Sequence, residues 1–223
     1  MGIGRATAFA LGRAGYRVGV CARQADRVEA LVAELRAAGI EATGRPADVS
    51  DPQDVQALVE NVSAALGPIH TLINNAGIAV IRPFAELTLE EWDATMATNV
   101  RGLYLVTREV LPSMRAMKSG WIVNVASLAG KNGLLGGTAY TASKHAVLGF
   151  TKSLMLEVRG DGVRVLAICP GSVDTELIHK SGFDRRNREK ILQPDDVAQA
   201  ILGALALPPR AMISELDIRP ANP

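Results

Sequence analysis

The sequence predicts an open, doubly wound α/β domain built on a parallel sheet, and three observations carry that prediction. Short β-branched runs such as RVGVCA at 17–22 and VRVLAIC at 163–169 alternate with longer segments of helical period, the pattern of strands joined by covering helices. These runs are mostly apolar, as suits strands of a parallel sheet covered on both faces. The 223 residues, 48% of them apolar, carry no repeat or linker and suit one domain, 1–223, around one core.

The elements follow in order. Residues 4–14 read as a helix, 17–22 as a strand and 25–38 as a helix stopped by Gly39. A short strand runs to about Ala47. Ser50-Asp51-Pro52 supplies a cap and an early helical proline for a helix through Leu66, which Gly67-Pro68 ends. Strand 70–74 leads into the loop NNAGIAVIRPF, and Thr88 with Glu91 forms a capping box for one long helix, 88–117. Its stripe of Trp92, Met96, Val100, Leu103, Val110, Met114 and Met117 faces a core. Tyr104, Leu105 and Leu111 lie off that stripe, so a second apolar face is expected to meet another subunit. Strand 121–126, helix 138–159, strand 163–169, helix 194–206 and strand 216–219 complete the chain. The polar stretch 176–190, broken by Gly182, is expected to form a mobile lid.

Composition excludes several classes of partner. The 24 Lys and Arg are balanced by 23 Asp and Glu, and only 4% of residues are aromatic. Neither a basic footprint for nucleic acid or an anionic membrane nor a base-stacking platform is expected. Cys21 and Cys169 sit in apolar strands and read as reduced core thiols. No apolar run reaches membrane-spanning length, and Arg5 and Arg13 interrupt any signal-peptide core; a cytoplasmic location is expected. His70, His145 and His179 are scattered without metal-ligand spacing.

Three groups of residues suggest chemistry. Gly2-Ile3-Gly4 before the first helix is either a tight turn or part of a phosphate-binding one. Asn74-Asn75-Ala76-Gly77 leaves a strand with small residues that let a ligand approach backbone, although a plain loop would also explain it. Tyr140 and Lys144 are four apart on one predicted helix, so phenol and ammonium share a face, where a cation favours phenolate. A packed aromatic beside a solvated lysine explains the isolated pair equally well. Ser127 ends its strand at the same sheet edge.

The order and spacing of Gly2-Ile3-Gly4, Asp48-Val49, Asn74-Asn75-Ala76-Gly77, Asn99, Ser127, Tyr140-Thr-Ala-Ser-Lys144 and Pro170-Gly171 resemble the short-chain dehydrogenase/reductase family over essentially the whole chain. The resemblance implies a Rossmann-type fold and an oxidoreductase with Tyr140 as general acid/base. It implies that Lys144 lowers the Tyr140 pKa and binds the nicotinamide ribose, that Ser127 polarises the substrate oxygen, and that Asn99 holds a water of a proton relay. Gly2, Ile3 and Gly4 would meet the pyrophosphate, Asp48 and Val49 the adenine, and Asn75, Ala76 and Gly77 the adenosine ribose side. Val173 and Thr175, following Pro170 and Gly171, would meet the carboxamide end. Arg23 stands where an NAD enzyme of the family would carry an acid, so NADP(H) is expected over NAD(H).

A small carbonyl or acyl-thioester substrate is implied, in the manner of the 3-oxoacyl thioester reductase branch, with Leu128, Lys131, Leu134, Leu135 and the lid lining its site. A homodimer or homotetramer is implied too. The rival readings are an NAD-dependent secondary alcohol dehydrogenase and a catalytically silent dinucleotide-binding or scaffold protein. The second arises because such folds begin with a strand feeding the glycine turn. Here the turn opens on Gly2, so a strand and a first glycine are expected upstream, and their absence would leave a gap between the strands of Val20 and Ile73.

Overall fold

The computed structural model describes residues 2–180 and 190–221. Its strands are all parallel and lie in two groups. β1 (Val18–Ala22) pairs with β2 (Ala42–Pro46), Val18 opposite Ala42. Separately, β3 (Thr71–Asn74), β4 (Gly120–Val125), β5 (Val163–Pro170) and β6 (Glu215–Ile218) lie in that order. Ile122 of β4 is in register with Val165 of β5. The division falls between the strands of Val20 and Ile73.

Helices cover the sheets as the apolar periods require. They are α1 (Ile3–Arg13), α2 (Ala25–Ala37), α3 (Pro52–Leu66), α4 (Leu89–Met96), α5 (Gly102–Met117), α6 (Thr138–Val158), α7 (Glu176–Lys180) and α8 (Pro194–Leu205). Alternate residues of the central strands feed two cores. Trp121, Val123, Val125, Leu166 and Ile168 pack with Leu11 of α1 and with Val197 and Ile201 of α8. Ile122, Val163 and Val165 pack on the other face with Val110 and Met114 of α5 and with Leu154 and Val158 of α6. Asp51 caps α3 by accepting from the amides of Gln53 and Asp54 at 2.8 and 2.9 Å.

Three expectations need correction. The helix expected over 88–117 opens with its Thr88–Glu91 capping box, but a π-helical turn at Ala97–Arg101 divides it into α4 and α5. The wide turn carries Asn99, whose side chain bonds main chain outside the helix. Of the supposed second face, only Tyr104 stands open, 46% exposed; Leu105 belongs to the protein's own core with Val106 and Val110. Cys169 is buried but Cys21 is exposed, on a strand that among the described residues pairs with β2 alone. The expected lid lies outside the described residues over 181–189, and its beginning is the short helix α7.

Candidate active site

The carboxyl ends of the strands share one edge, and the residues that follow them open on a single cavity of about 1280 Å³. Arg23 follows β1, Asp48 follows β2, Asn75 follows β3, Ser127 follows β4 and Gly171 follows β5. A ligand at such an edge meets backbone and side chains from many strands at once.

One wall carries Ser127, Tyr140 and Lys144. Ser127 caps a short 3₁₀ turn, Leu128–Gly130, its Oγ accepting from the Ala129 amide at 3.1 Å. That turn lies directly on α6: a Cβ at Gly130 would come within 2.8 Å of the Lys144 carbonyl oxygen. Glycine there lets the serine loop reach the helix of Tyr140. Lys144, 6% exposed, donates from Nζ to the Val125 carbonyl at 2.7 Å. Burial disfavours its charge and brings its pKa down to about 8. The Tyr140 phenol is pushed up, by burial first, with a bond to the Ser127 hydroxyl working the other way.

Asn99 stands behind this wall, 3% exposed. Its Oδ1 accepts from the Ile78 amide at 2.8 Å, and its Nδ2 donates to the Ile78 carbonyl and to Ser143 Oγ, each at 2.9 Å. Ser143 Oγ donates in turn to the Tyr140 carbonyl at 2.7 Å. Asn99 thus ties the loop after β3 to the helix that presents Tyr140. A Cβ on Gly77, in that loop, would sit 3.3 Å from Asn99 Oδ1 and 3.7 Å from Lys144 Nζ.

The other wall is a cradle suited to a dinucleotide. α1 begins at the cavity with no side-chain cap and no acid in its first turn, so its first amides are free to face an anion. Gly2 precedes it at φ +69, and a Cβ there would meet Thr175 at 3.1 Å; one at Gly4 would meet Asn75 Nδ2 at 2.7 Å. Ile3 packs into the core below. Asp48 accepts from the Ser50 amide and hydroxyl at 2.9 and 2.7 Å, which together with the nearby Arg23 cation hold its carboxyl below the usual range. Val49 packs over Gly102, where a Cβ would approach it to 2.7 Å. Ala76, Pro170, Gly171 and Val173 line the same cavity, with the Gly171 amide bonded to Ile218 at 2.8 Å. Every catalytic and cofactor-binding residue expected from the sequence lines this one space.

The substrate lining is only partly as expected. Leu128 and Leu134 reach the cavity. Lys131 turns away to pair with Glu215 and Asp217 of β6, and Leu135 is 94% exposed. Sequence reasoning missed Ser143, and it missed a buried amide relay beneath the site. In that relay Asn74 Nδ2 donates to Asn124 Oδ1 at 2.9 Å, and Asn124 Nδ2 donates to Thr151 Oγ1 at 2.8 Å. The signal was present, since Asn124 interrupts the apolar strand WIVNVA. Also missed was the Arg27–Glu176 contact, 3.4 Å, which joins α2 to α7 at the cavity mouth. Among the described residues no cluster of His, Cys, Asp or Glu could hold a metal, and no helix is long and apolar enough to cross a membrane.

Known proteins share both sequence and fold. A protein of Streptomyces coelicolor named "Putative ketoacyl reductase" is 39% identical over 220 residues, covering 90% of this chain and 84% of its own. The monensin polyketide synthase ketoacyl reductase of Streptomyces virginiae, also given as putative, is 43% identical over 181 residues, 80% of this chain and 69% of its own. Among solved structures, a metagenomic short-chain oxidoreductase in complex with NADP superposes with TM-score 0.86 at 36% identity, covering 100% of this chain and 94% of the other. A crystal structure of actinorhodin polyketide ketoreductase with NADPH superposes with TM-score 0.90, also at 36% identity, covering 98% and 92%. The short chain dehydrogenase family model matches residues 1–186. Together with the parallel α/β fold and the Ser127–Tyr140–Lys144 wall, this shows that the chain belongs to the short-chain dehydrogenase family of oxidoreductases.

Proposed function

We propose that the protein is an NADP(H)-dependent carbonyl reductase acting on a small ketone or an acyl-thioester carbonyl, and that it works in the cytoplasm as a homodimer or homotetramer. The observation that carries this reading is the meeting of Ser127, Tyr140 and Lys144 on one wall of a cavity whose other wall is a glycine cradle rimmed by Arg23. Relatives named as ketoacyl reductases and neighbours solved with NADP and NADPH support the substrate class and the cofactor.

Gly2, Gly4 and the first amides of α1 would hold the pyrophosphate, and Arg23 the 2′-phosphate, whose planar recognition suits a guanidinium. A dinucleotide held there would supply a hydride to the carbonyl carbon. Ser127 Oγ holds the carbonyl oxygen by a hydrogen bond and orients it toward the phenol. Tyr140 gives its proton to that oxygen. Its raised pKa keeps the phenol protonated at neutral pH, the state a reductase needs. Lys144, with a pKa near 8, is close enough to neutrality to return a proton to the phenolate. Asn99 keeps the loop after β3 and the Tyr140 helix at fixed separation.

Tyr140→Phe tests the reading. The substitution keeps the ring and removes the proton donor, so turnover of a ketone with NADPH should fall by at least about a hundredfold. NADPH binding, followed by fluorescence, should change little. Turnover within a few-fold of the parent would overturn the role of Tyr140.

A further inference from the structure

Beyond Ser127 the cavity continues between two loops, the one that follows β3 and the one that leads into α6. The loops touch. The Arg82 amide donates to the Gly136 carbonyl at 2.8 Å, and a Cβ at Gly136, which sits at φ +72, would come within 3.3 Å of the Arg82 main chain. Leu134 folds back onto the start of α6: its carbonyl accepts from the Gly137 amide at 2.8 Å, and a Cβ at Gly137 would meet its Cδ2 at the same distance. Tyr140 stands one helical turn further on, so Leu134 lies at the helix end that presents the phenol.

The lining at this end is largely apolar: Ile78, Ala79 and Ile81 come from one loop, Leu134 from the other, and Leu128 follows Ser127. The apolar character continues outward. Leu135, next to Leu134, is 94% exposed, and Phe84, close after Arg82, is 72% exposed. Leu89, also exposed, opens α4, which Arg82 holds close through its 2.8 Å pair with Glu91. Large apolar side chains gathered in the open beside a cavity mark a binding surface. The cations nearby are committed to carboxylates: Arg82 to Glu91, Lys131 to Glu215 and Asp217, and Arg219, on the cavity wall, to Asp217 at 3.4 Å.

We propose that the substrate's carbonyl carries an extended, neutral apolar group, which runs from Ser127 across Ile81 and Leu134 and out onto Leu135 and Phe84. The proposal rests on the carbonyl reductase reading above and narrows its substrate class. An apolar chain or ring is the occupant whose chemistry fits, because it leaves water for a wall of its own kind and continues onto an apolar rim. A carboxylate or phosphate held close to the carbonyl would instead lose its hydration among Ile81 and Leu134, with the cations of both loops already paired. The dinucleotide cradle lies on the other wall, so the two ligands do not compete. A second copy of the chain set on Phe84 and Leu135 would cover the rim alone and leave the apolar lining within the cavity without an occupant.

The test follows NADPH oxidation by the whole chain with a series of methyl ketones from butan-2-one to decan-2-one. Over the first additions kcat/KM should rise by about three- to fourfold per methylene. Hexan-2-one should be preferred by about tenfold or more over 5-oxohexanoate, which carries a carboxylate into the same stretch of wall. Leu135→Ser with Phe84→Ser should lower kcat/KM for decan-2-one by about tenfold relative to that for butan-2-one, mainly through KM. A series flat in chain length, or a preference for the keto acid, would overturn the proposal and leave the reductase reading standing. Turnover of no ketone in the series would fail the reductase reading and the proposal with it. A double variant that keeps the preference for long chains but lowers the mass measured by light scattering would make the rim a contact between subunits, and would refute its role toward substrate.

Discussion

Replacing Asn99 with leucine removes the amide while keeping a side chain of similar size. Three hydrogen bonds are lost, to the Ile78 amide, the Ile78 carbonyl and Ser143 Oγ. The serine keeps its bond to the Tyr140 carbonyl, so its share of the cost is small. The two main-chain groups of Ile78 have no such alternative, and an unmet buried group costs about 1 to 3 kcal/mol. Ile78 is half-buried, so water relieves part of that, and a loss of about 2 to 4 kcal/mol is expected. Against a usual stability of about 5 to 15 kcal/mol the protein stays folded. Urea unfolding should show a lower midpoint at unchanged slope. Because Ile78 follows Gly77, which lies against Lys144, turnover should also fall by about tenfold or more. Asn99→Asp keeps the acceptor for the Ile78 amide and should cost less turnover than leucine. A loss under about 1 kcal/mol with unchanged turnover in Asn99→Leu would refute the view that this side chain, rather than general helix packing, holds the loop.

Other outcomes can be checked at modest effort. Arg23→Ala should raise the NADPH dissociation constant by about tenfold while leaving that for NADH nearly unchanged, measured by fluorescence titration; a parent enzyme that prefers NADH would contradict the cofactor assignment. Lys131→Met should destabilise the protein by about 1 kcal/mol at pH 7, because Lys131 holds the Glu215 and Asp217 carboxyls below their usual range. Depressed carboxylates contribute stability above their unfolded pKa and lose it as pH falls, so the gap from the parent should close below about pH 4; a gap that persists there would show that packing, not charge, is lost. Light scattering should give a dimer or tetramer at micromolar concentration, and Tyr104→Glu with Leu156→Glu should shift it toward monomer, since both side chains stand open on α5 and α6. A monomeric parent would end that reading.

Much of the fold was legible because it is local. The capping box of Thr88 and Glu91, the Asp51 cap and the stop at Gly39 are decided within a turn of chain, and the mostly apolar runs already pointed to strands covered on both faces. The order of Ser127, Tyr140 and Lys144 with the glycines before α1 was enough to gather them at one sheet edge, since parallel strands joined by helices all end there.

What the sequence could not decide depends on partners far along the chain. Asn99 read as a mid-helix residue, and the π turn around it exists because its amide is taken by Ile78, 21 residues away. Lys131 read as substrate lining, but the carboxylates that claim it arrive with β6, more than 80 residues later. Cys21 carries the composition of a core strand and is exposed, on a strand that among the described residues pairs with β2 alone. Spacing places the Lys144 cation one helical turn from Tyr140, but only packing buries the phenol and turns the lysine toward the Val125 carbonyl. Periodicity determined which residues face inward; only the assembled chain determined what each of them meets there, because hydrogen bonds and desolvation act between groups that the sequence keeps far apart.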